Sequence, residues 1–260
     1  MSAGFDRAAG SYDTDFTNSA IGKHQRYAVY KVLQDILDRT KPETILEINC
    51  GTGTDALWMA DQGFNITATD ISGQMIAVAK TKSHKTMPVF ETVGISELGT
   101  YFSGRAFDLI FSNFGGLNCL SKRALTAFFE DAYNLLSPEG RLFLVIMPKK
   151  TLWEKIYFVS KGAFRSSSRR KNELVIADVS GEKIPTFYYN PQETVTLAAA
   201  GFEVERIAPI GFFIPPSYLQ PYFNRHPRLL RFLAGLEKSI RNATWLSAYS
   251  DHYCIVLKKK

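Results

Sequence analysis

The chain has 260 residues, of which 45% are apolar and 22% charged. That size and composition suit one α/β domain with insertions, or a domain plus a small lid, and exclude a chain too polar to bury a core. The formal net charge of +6 favours an anionic ligand or surface, but an ordinary solvated positive surface accounts for it without nucleic acid.

Residues 1–20 are small and polar, with Phe5, Tyr12 and Phe16 interspersed, and such a segment is expected to fold over something. From 21 to 37, Val29, Val32, Leu33, Ile36 and Leu37 follow helical spacing, and Lys41-Pro42 stops the helix. Alternation follows. Strands are expected over 44–48, 65–69 and, more weakly, 89–93. Helices are expected over 55–62 and over 72–83, the latter capped by Ser72. A strand over 107–112 leads to a helix over 121–136 with Leu125, Phe128, Phe129, Ala132 and Leu136 on one face. A turn at Ser137-Pro138-Glu139-Gly140 precedes a buried strand over 142–147. This order predicts a parallel sheet covered on both sides by helices.

After Pro148 the rhythm changes. A short helix over 152–160 precedes a basic run over 161–171, then a strand pair near 174–177 and 183–189. A helix over 191–200, ended by Gly201, leads to an extended segment over 203–214. Residues 217–250 hold an amphipathic helix carrying Leu229, Leu230, Leu233, Leu236 and Ile240, and the last strand covers 252–257. Cys50, Cys119 and Cys254 are far apart and form no metal or disulfide pattern, so no metal site is expected. With no secretory signal and no apolar run near the roughly 20 residues that span a bilayer, a cytoplasmic protein without a transmembrane segment is expected.

The stretch Ile45-Leu46-Glu47-Ile48-Asn49-Cys50-Gly51-Thr52-Gly53-Thr54-Asp55 reads as a buried strand, a glycine-bearing turn and a helix start. The next apolar strand ends in Asp70. Small residues let backbone approach a ligand, and an acid about 20 residues on receives ribose hydroxyls, so the pair points to a nucleoside. The loop lacks both the GxGxxG spacing of dinucleotide enzymes and the Lys-Ser/Thr of a P-loop.

This loop, Asp70, the strand Phe107-Asp108-Leu109-Ile110 and the lead-in Leu136-Ser137-Pro138-Glu139-Gly140-Arg141-Leu142 together resemble the class I S-adenosylmethionine (SAM)-dependent methyltransferases. The run Phe5-Asp6-Arg7-Ala8-Ala9-Gly10-Ser11-Tyr12-Asp13 resembles the N-terminal pattern of their small-molecule branch, which includes quinone and biotin-pathway enzymes of types 11 and 25. The resemblance implies a Rossmann-like, doubly wound, seven-stranded, mostly parallel sheet with an antiparallel last strand, plus insertions forming a substrate lid. It implies one domain over 1–260: cover helices over 1–40, a cofactor-binding half over 41–148, a lid over 149–186, and core strands over 187–260 with a helical insertion over 217–250.

The implied cofactor is SAM, leaving as S-adenosylhomocysteine. Asn49, Cys50, Gly51 and Gly53 would face its methionine and ribose. Asn49 stands where the family has the first glycine, and Asn tolerates left-handed φ better than other side chains. Glu47 would hold the loop and receive the amino group, or simply cap the turn. Asp70 would accept two charge-assisted bonds from the ribose diol, its plainer reading being a helix-start acid. Ile71 and Met75 would flank the adenine, although alone both read as core. The family's acid after the third strand is absent from Val93-Gly94-Ile95-Ser96-Glu97-Leu98, where Ser96 or Glu97 would substitute. Asn113, at the end of the fourth strand, falls near the sulfonium and acceptor, and Tyr12 would close over the methionine end.

Methyl transfer is an in-line displacement that needs positioning and sometimes a base. The candidate bases are His226, His252 and Tyr188, with Tyr189 beside the pocket; His24 and His84 complete the histidines. Aromatic residues in the insertions suit a small, partly apolar or aromatic acceptor. The basic run over 161–171 would greet an anion or stand as a solvated loop. Two other readings stay open: an RNA methyltransferase, against which Asn113-Phe114-Gly115-Gly116 replaces an Asn-Pro-Pro-Tyr-type tetrad, and a SAM-binding scaffold without transfer. A membrane-surface role for the helix over 228–241 competes with a core-facing one.

Overall fold

The computed structural model describes residues 3–82, 86–179 and 181–260. His84 and the expected helix end at Ser83 lie outside them. A short α1 (Ala3–Asp6) and a single π-helical turn (Asp13–Thr17) lead into α2 (Ala20–Thr40). Lys41 ends α2 in a left-handed conformation, φ 46°, its N–H returning to the Leu37 carbonyl.

The α/β alternation then runs β1 (Thr44–Ile48), α3 (Thr54–Ala60), β2 (Asn65–Asp70), α4 (Gly73–Thr81) and β3 (Val89–Thr92). It continues with α5 (Leu98–Tyr101), β4 (Phe107–Ser112), α6 (Lys122–Leu135) and β5 (Leu136–Ile146). The first insertion holds α7 (Leu152–Ser160), a 3-10 segment (Phe164–Lys171) and the hairpin β6 (Val175–Val179) and β7 (Glu182–Thr186). Then come α8 (Pro191–Ala198), β8 (Phe202–Ile210), α9 (Gln220–Arg225), α10 (Pro227–Ser239) and β9 (His252–Lys259).

The main sheet has the order β3-β2-β1-β4-β5-β9-β8, with β9 antiparallel to both neighbours. Side-chain alternation divides the core. Ile45, Leu109, Phe111, Phe143 and Val256 pack toward α2 and α3. Leu46, Ile48, Ile110, Leu144 and Ile255 pack toward α6 and α8. Burial on both faces explains why these strands are apolar throughout rather than alternating.

Two expectations change and one is extended. The turn expected at residues 137–140 is absorbed into β5, whose pairing with β4 slips between Phe107 and Leu109. Asp108 supports the slip by accepting from Ser137 Oγ at 2.8 Å and the Thr44 N–H at 3.0 Å. The insertion over 217–250 carries, besides the expected amphipathic helix, here α10, a second helix α9, the two separated at His226-Pro227 because Pro removes a donor and clashes with the preceding turn. The basic run is no solvated loop throughout. Arg170 is buried, 2.5 Å from Glu154 Oε2 and 3.0 Å from Asp251 Oδ1, and Arg169 also pairs with Glu154. These contacts pin the first insertion to the start of β9.

In α10, Leu230 and Ala234 pack against Ile21, Ile214 and Phe223, while Leu229 and Phe232 remain exposed. No helix among the described residues is long and apolar enough to cross a membrane.

Candidate functional site

The chain leaves β1 through three positive-φ residues: Asn49 at 56°, Gly51 at 53° and Gly53 at 74°. Asn49 takes the left-handed backbone expected of it. A Cβ added to Gly51 would meet nothing nearer than Tyr12 Cε1 at 3.9 Å, which leaves backbone open at a cavity wall. Gly53 differs. Its added Cβ would lie 2.7 Å from the Phe90 ring and 2.9 Å from Ala79, so it permits α3 to pack on β3 and α4. Gly53 lines neither this cavity nor the smaller one beside it.

Asp70 terminates β2 beside this loop. Its Oδ2 accepts from the Gly51 N–H at 2.8 Å and its Oδ1 from the Ser72 N–H at 2.9 Å. A carboxylate has about four acceptor positions, and the backbone N–H groups of Gly51, Ser72 and Ile71 leave acceptor capacity for a ligand hydroxyl. Burial pushes the Asp70 carboxyl up, and the backbone donors oppose that. The helix-start reading is therefore also present: Ser72 caps α4, its Oγ accepting from the Met75 N–H at 3.1 Å.

A cavity of about 260 Å³ opens here at the carboxyl edge of the sheet. It brings together Tyr12, Asn49, Gly51, Asp70, Ile71, Met75, Ser96 and Asn113 from five separate stretches of chain. Burial pushes the Tyr12 phenol up to about 12, so it stays a neutral donor. Ser96 reaches the cavity, whereas Glu97 turns back to accept from the Gly94 N–H at 2.9 Å. Cys50 lines a smaller adjoining space of about 30 Å³ with Arg26 and Asp55. Burial raises the thiols of Cys50 and Cys119, so both stay neutral.

Sequence reading missed several wall residues. Phe5, Ile95, Phe114 and Cys119 line the cavity, and Ile184 and Pro185 reach it from β7. It also missed Arg26, which pairs with Asp55 in the interior. Asp55 further accepts from Tyr30 Oη at 2.6 Å and Asn113 Nδ2 at 2.9 Å. Arg26 Nε has no partner among the described residues. The signal was available, since Arg26 lies on the apolar stripe of α2 three residues before Val29. Phe114 takes a positive φ of 45°, a conformation costly for a bulky residue and found at functional sites.

Glu47 lies on the α2 and α3 face, 1% exposed, and lines neither cavity. It makes no loop-capping bond, and its Oε2 has no partner among the described residues. Strand alternation carries it past the loop into the core. Burial pushes its carboxyl well up, with Asp55 adding to the rise and Arg26 opposing it. The folded state thus keeps a proton that the unfolded chain releases near its ordinary value. Stability therefore falls as pH rises above that value. Measured by thermal melting from pH 4.5 to 8, Glu47→Gln shows a shallower fall, and matching slopes would mean that Glu47 is ionised in the fold.

The candidate bases separate. His226 is exposed between α9 and α10, against Tyr222, and Tyr188 is buried beneath Arg170; neither these two nor His252 lines either of the two cavities described. Tyr189 is spent on the Leu120 carbonyl at 2.6 Å. His252 stands edge-on to Phe114, ring centroids 5.6 Å apart, with Nδ1 3.3 Å from Asp251 Oδ2. Burial works against the Asp251 charge, but His252 and Arg170 outweigh it and hold the carboxyl well below its usual range.

Comparison with known proteins agrees with this geometry. Residues 45–140 match the family model described as a methyltransferase domain. The chain is 33% identical over 154 residues to the malonyl-[acyl-carrier protein] O-methyltransferase of Bacillus cereus, covering 58% of this chain and 53% of the relative. It is 26% identical over 155 residues to the demethylmenaquinone methyltransferase of Paenarthrobacter aurescens, covering 59% and 58%. The chain spans about half the length of the curated relatives it matches. Its fold resembles magnesium protoporphyrin IX methyltransferase from Synechocystis, solved with bound S-adenosylhomocysteine, with TM-score 0.61 and 16% identity over 100% of this chain and 95% of that one. Loop, acid, strand order and these matches together support a class I SAM-dependent methyltransferase, with residues 45–140 matching the methyltransferase domain.

Proposed function

We propose that this chain transfers a methyl group from SAM to a small, partly apolar acceptor by in-line displacement. One observation carries the reading: Asp70, Gly51, Ile71 and Met75 converge on a single cavity at the carboxyl edge of the sheet. The residues fit the cofactor. Asp70 has acceptor capacity for the ribose diol, and Gly51 leaves its backbone open. Ile71 and Met75 offer apolar sides for adenine, with Ser96 at its edge. Arg26, with its unpaired buried Nε, supplies a donor for the methionine carboxylate, beside Tyr12, Asn49, Cys50 and Asn113.

Bound SAM supplies an activated methyl on a sulfonium. The chain's own contribution is to orient the acceptor and exclude water. Phe5, Phe114 and Ile184 give the cavity apolar walls that suit an aromatic or aliphatic acceptor. Relatives named for demethylmenaquinone and for a malonyl carrier favour a small acceptor over RNA. Where the acceptor is a hydroxyl or amine, His252, behind the cavity wall residue Phe114 and 3.3 Å from Asp251 through Nδ1, is the candidate to take its proton.

Calorimetric titration with S-adenosylhomocysteine, against NAD and ATP, tests the cofactor, and mass spectrometry of an acceptor panel tests transfer. Binding of NAD or ATP instead would overturn the reading. With an acceptor in hand, His252→Gln lowers turnover about a hundredfold or more, within the range for a general base, and leaves S-adenosylhomocysteine affinity within twofold. Unchanged turnover would remove His252 from the chemistry.

A further inference from the structure

A second, larger cavity of about 860 Å³ lies between α2 and α10, and it shares no lining residue with the cofactor cavity. Helix α2 separates the two. Arg26 and Tyr30 turn toward the Asp55 cluster, while Lys23, Tyr27 and Lys31 turn toward the groove. The floor is apolar, formed by Ala28, Val32, Pro209, Ile210, Ile214 and Ala234. The rim carries Lys23, Lys31, Arg231, Lys238 and Arg241.

These cations are poorly compensated. Glu237 is the one carboxylate in the lining, and its oxygens accept from four backbone N–H groups, of Gly211, Phe212, Phe213 and Ile214, at 2.7–3.2 Å. Asp35 lies 3.9 Å from Arg241 but is nearer Arg206, at 3.0 Å. Lys23 and Arg231 have no acidic partner among the described residues. Tyr27 receives two ammonium groups from different helices, Lys31 Nζ at 5.1 Å and Lys238 Nζ at 5.7 Å from its ring centre. Two like charges thus share one ring at the groove, an arrangement that a bound anion would relieve.

We propose that this groove binds an amphiphilic anion, its charged head between Lys31 and Lys238 and its apolar body along Val32, Ile210, Ile214 and Ala234. The proposal is independent of the methyl-transfer reading. A free amphiphile and a lipid of an anionic bilayer present the same chemistry.

The test is calorimetry on the full chain without cofactor, using octyl phosphate, octanol and inorganic phosphate as probes. Octyl phosphate is expected to bind one site at least tenfold more tightly than either control. The double variant Lys31→Glu/Lys238→Glu, at two exposed positions, is expected to weaken it at least tenfold with an unchanged melting temperature. Equal binding of octanol, or undiminished binding by the variant, would overturn the proposal. Sedimentation with phosphatidylglycerol vesicles separates the sources. Vesicle binding that octyl phosphate competes away supports a bilayer lipid. Octyl phosphate binding without vesicle binding supports a free amphiphile. Vesicle binding with no octyl phosphate site would overturn the groove in favour of a general membrane surface.

Discussion

Asp70→Ala lowers the affinity for S-adenosylhomocysteine about a hundredfold. Hydrogen bonds to a charged group contribute about 1.5–3 kcal/mol each, and two ribose bonds together give roughly 3 kcal/mol, or two orders of magnitude. The substitution also frees the Gly51 and Ser72 N–H groups that Asp70 now holds, loosening the loop that the ligand must meet. Asp70→Asn keeps the shape and one acceptor oxygen, so it should fall between the native protein and the alanine variant. Calorimetry gives the three affinities, and melting curves verify that each variant is folded. An alanine variant within threefold of the native affinity would remove Asp70 from the ribose site and leave it as the acid that starts α4.

Asp55→Ala destabilises the fold by about 3–5 kcal/mol, the cost of stranding a buried charge. Arg26 and Asp55 are both buried, and Tyr30 and Asn113 converge on the same carboxylate. Arg26 also lies 5.1 Å from the centre of the Phe114 ring, so the pair links α2 to the β4 loop and the cavity wall. For a chain of this size the loss lowers Tm by roughly 10 °C. Arg26→Met/Asp55→Leu recovers most of it, because no charge is then left without a partner. A double variant as unstable as Asp55→Ala would show that the packing around the pair, rather than the stranded guanidinium, sets the cost.

Several features were legible before the structure because they are local. The helix of α2, the cap at Ser72 and the left-handed Asn49 each follow from a few adjacent residues. What was not legible is non-local. Glu47 and Gly53 belong to the same loop, yet neither lines the cavity at the sheet edge, because strand alternation sends Glu47 into the core and Phe90 and Ala79 crowd Gly53. The basic run read as surface because a string of charges ordinarily is. Arg170 is buried because Glu154 and Asp251, the latter 81 residues away, converge on it.

By itself the sequence determined the α/β alternation, the parallel sheet and the pairing of a glycine loop with the acid after the next strand. Hydrophobic period and turn chemistry act over runs of a dozen residues or fewer, so they can be read without coordinates. Only the tertiary structure decided that Arg26, Phe114 and the β7 hairpin join that site, that Asp251 turns to His252, and that two helices far apart in sequence enclose a cationic groove. Those meetings depend on strand order and on buried charges finding partners across the fold, which no local pattern encodes.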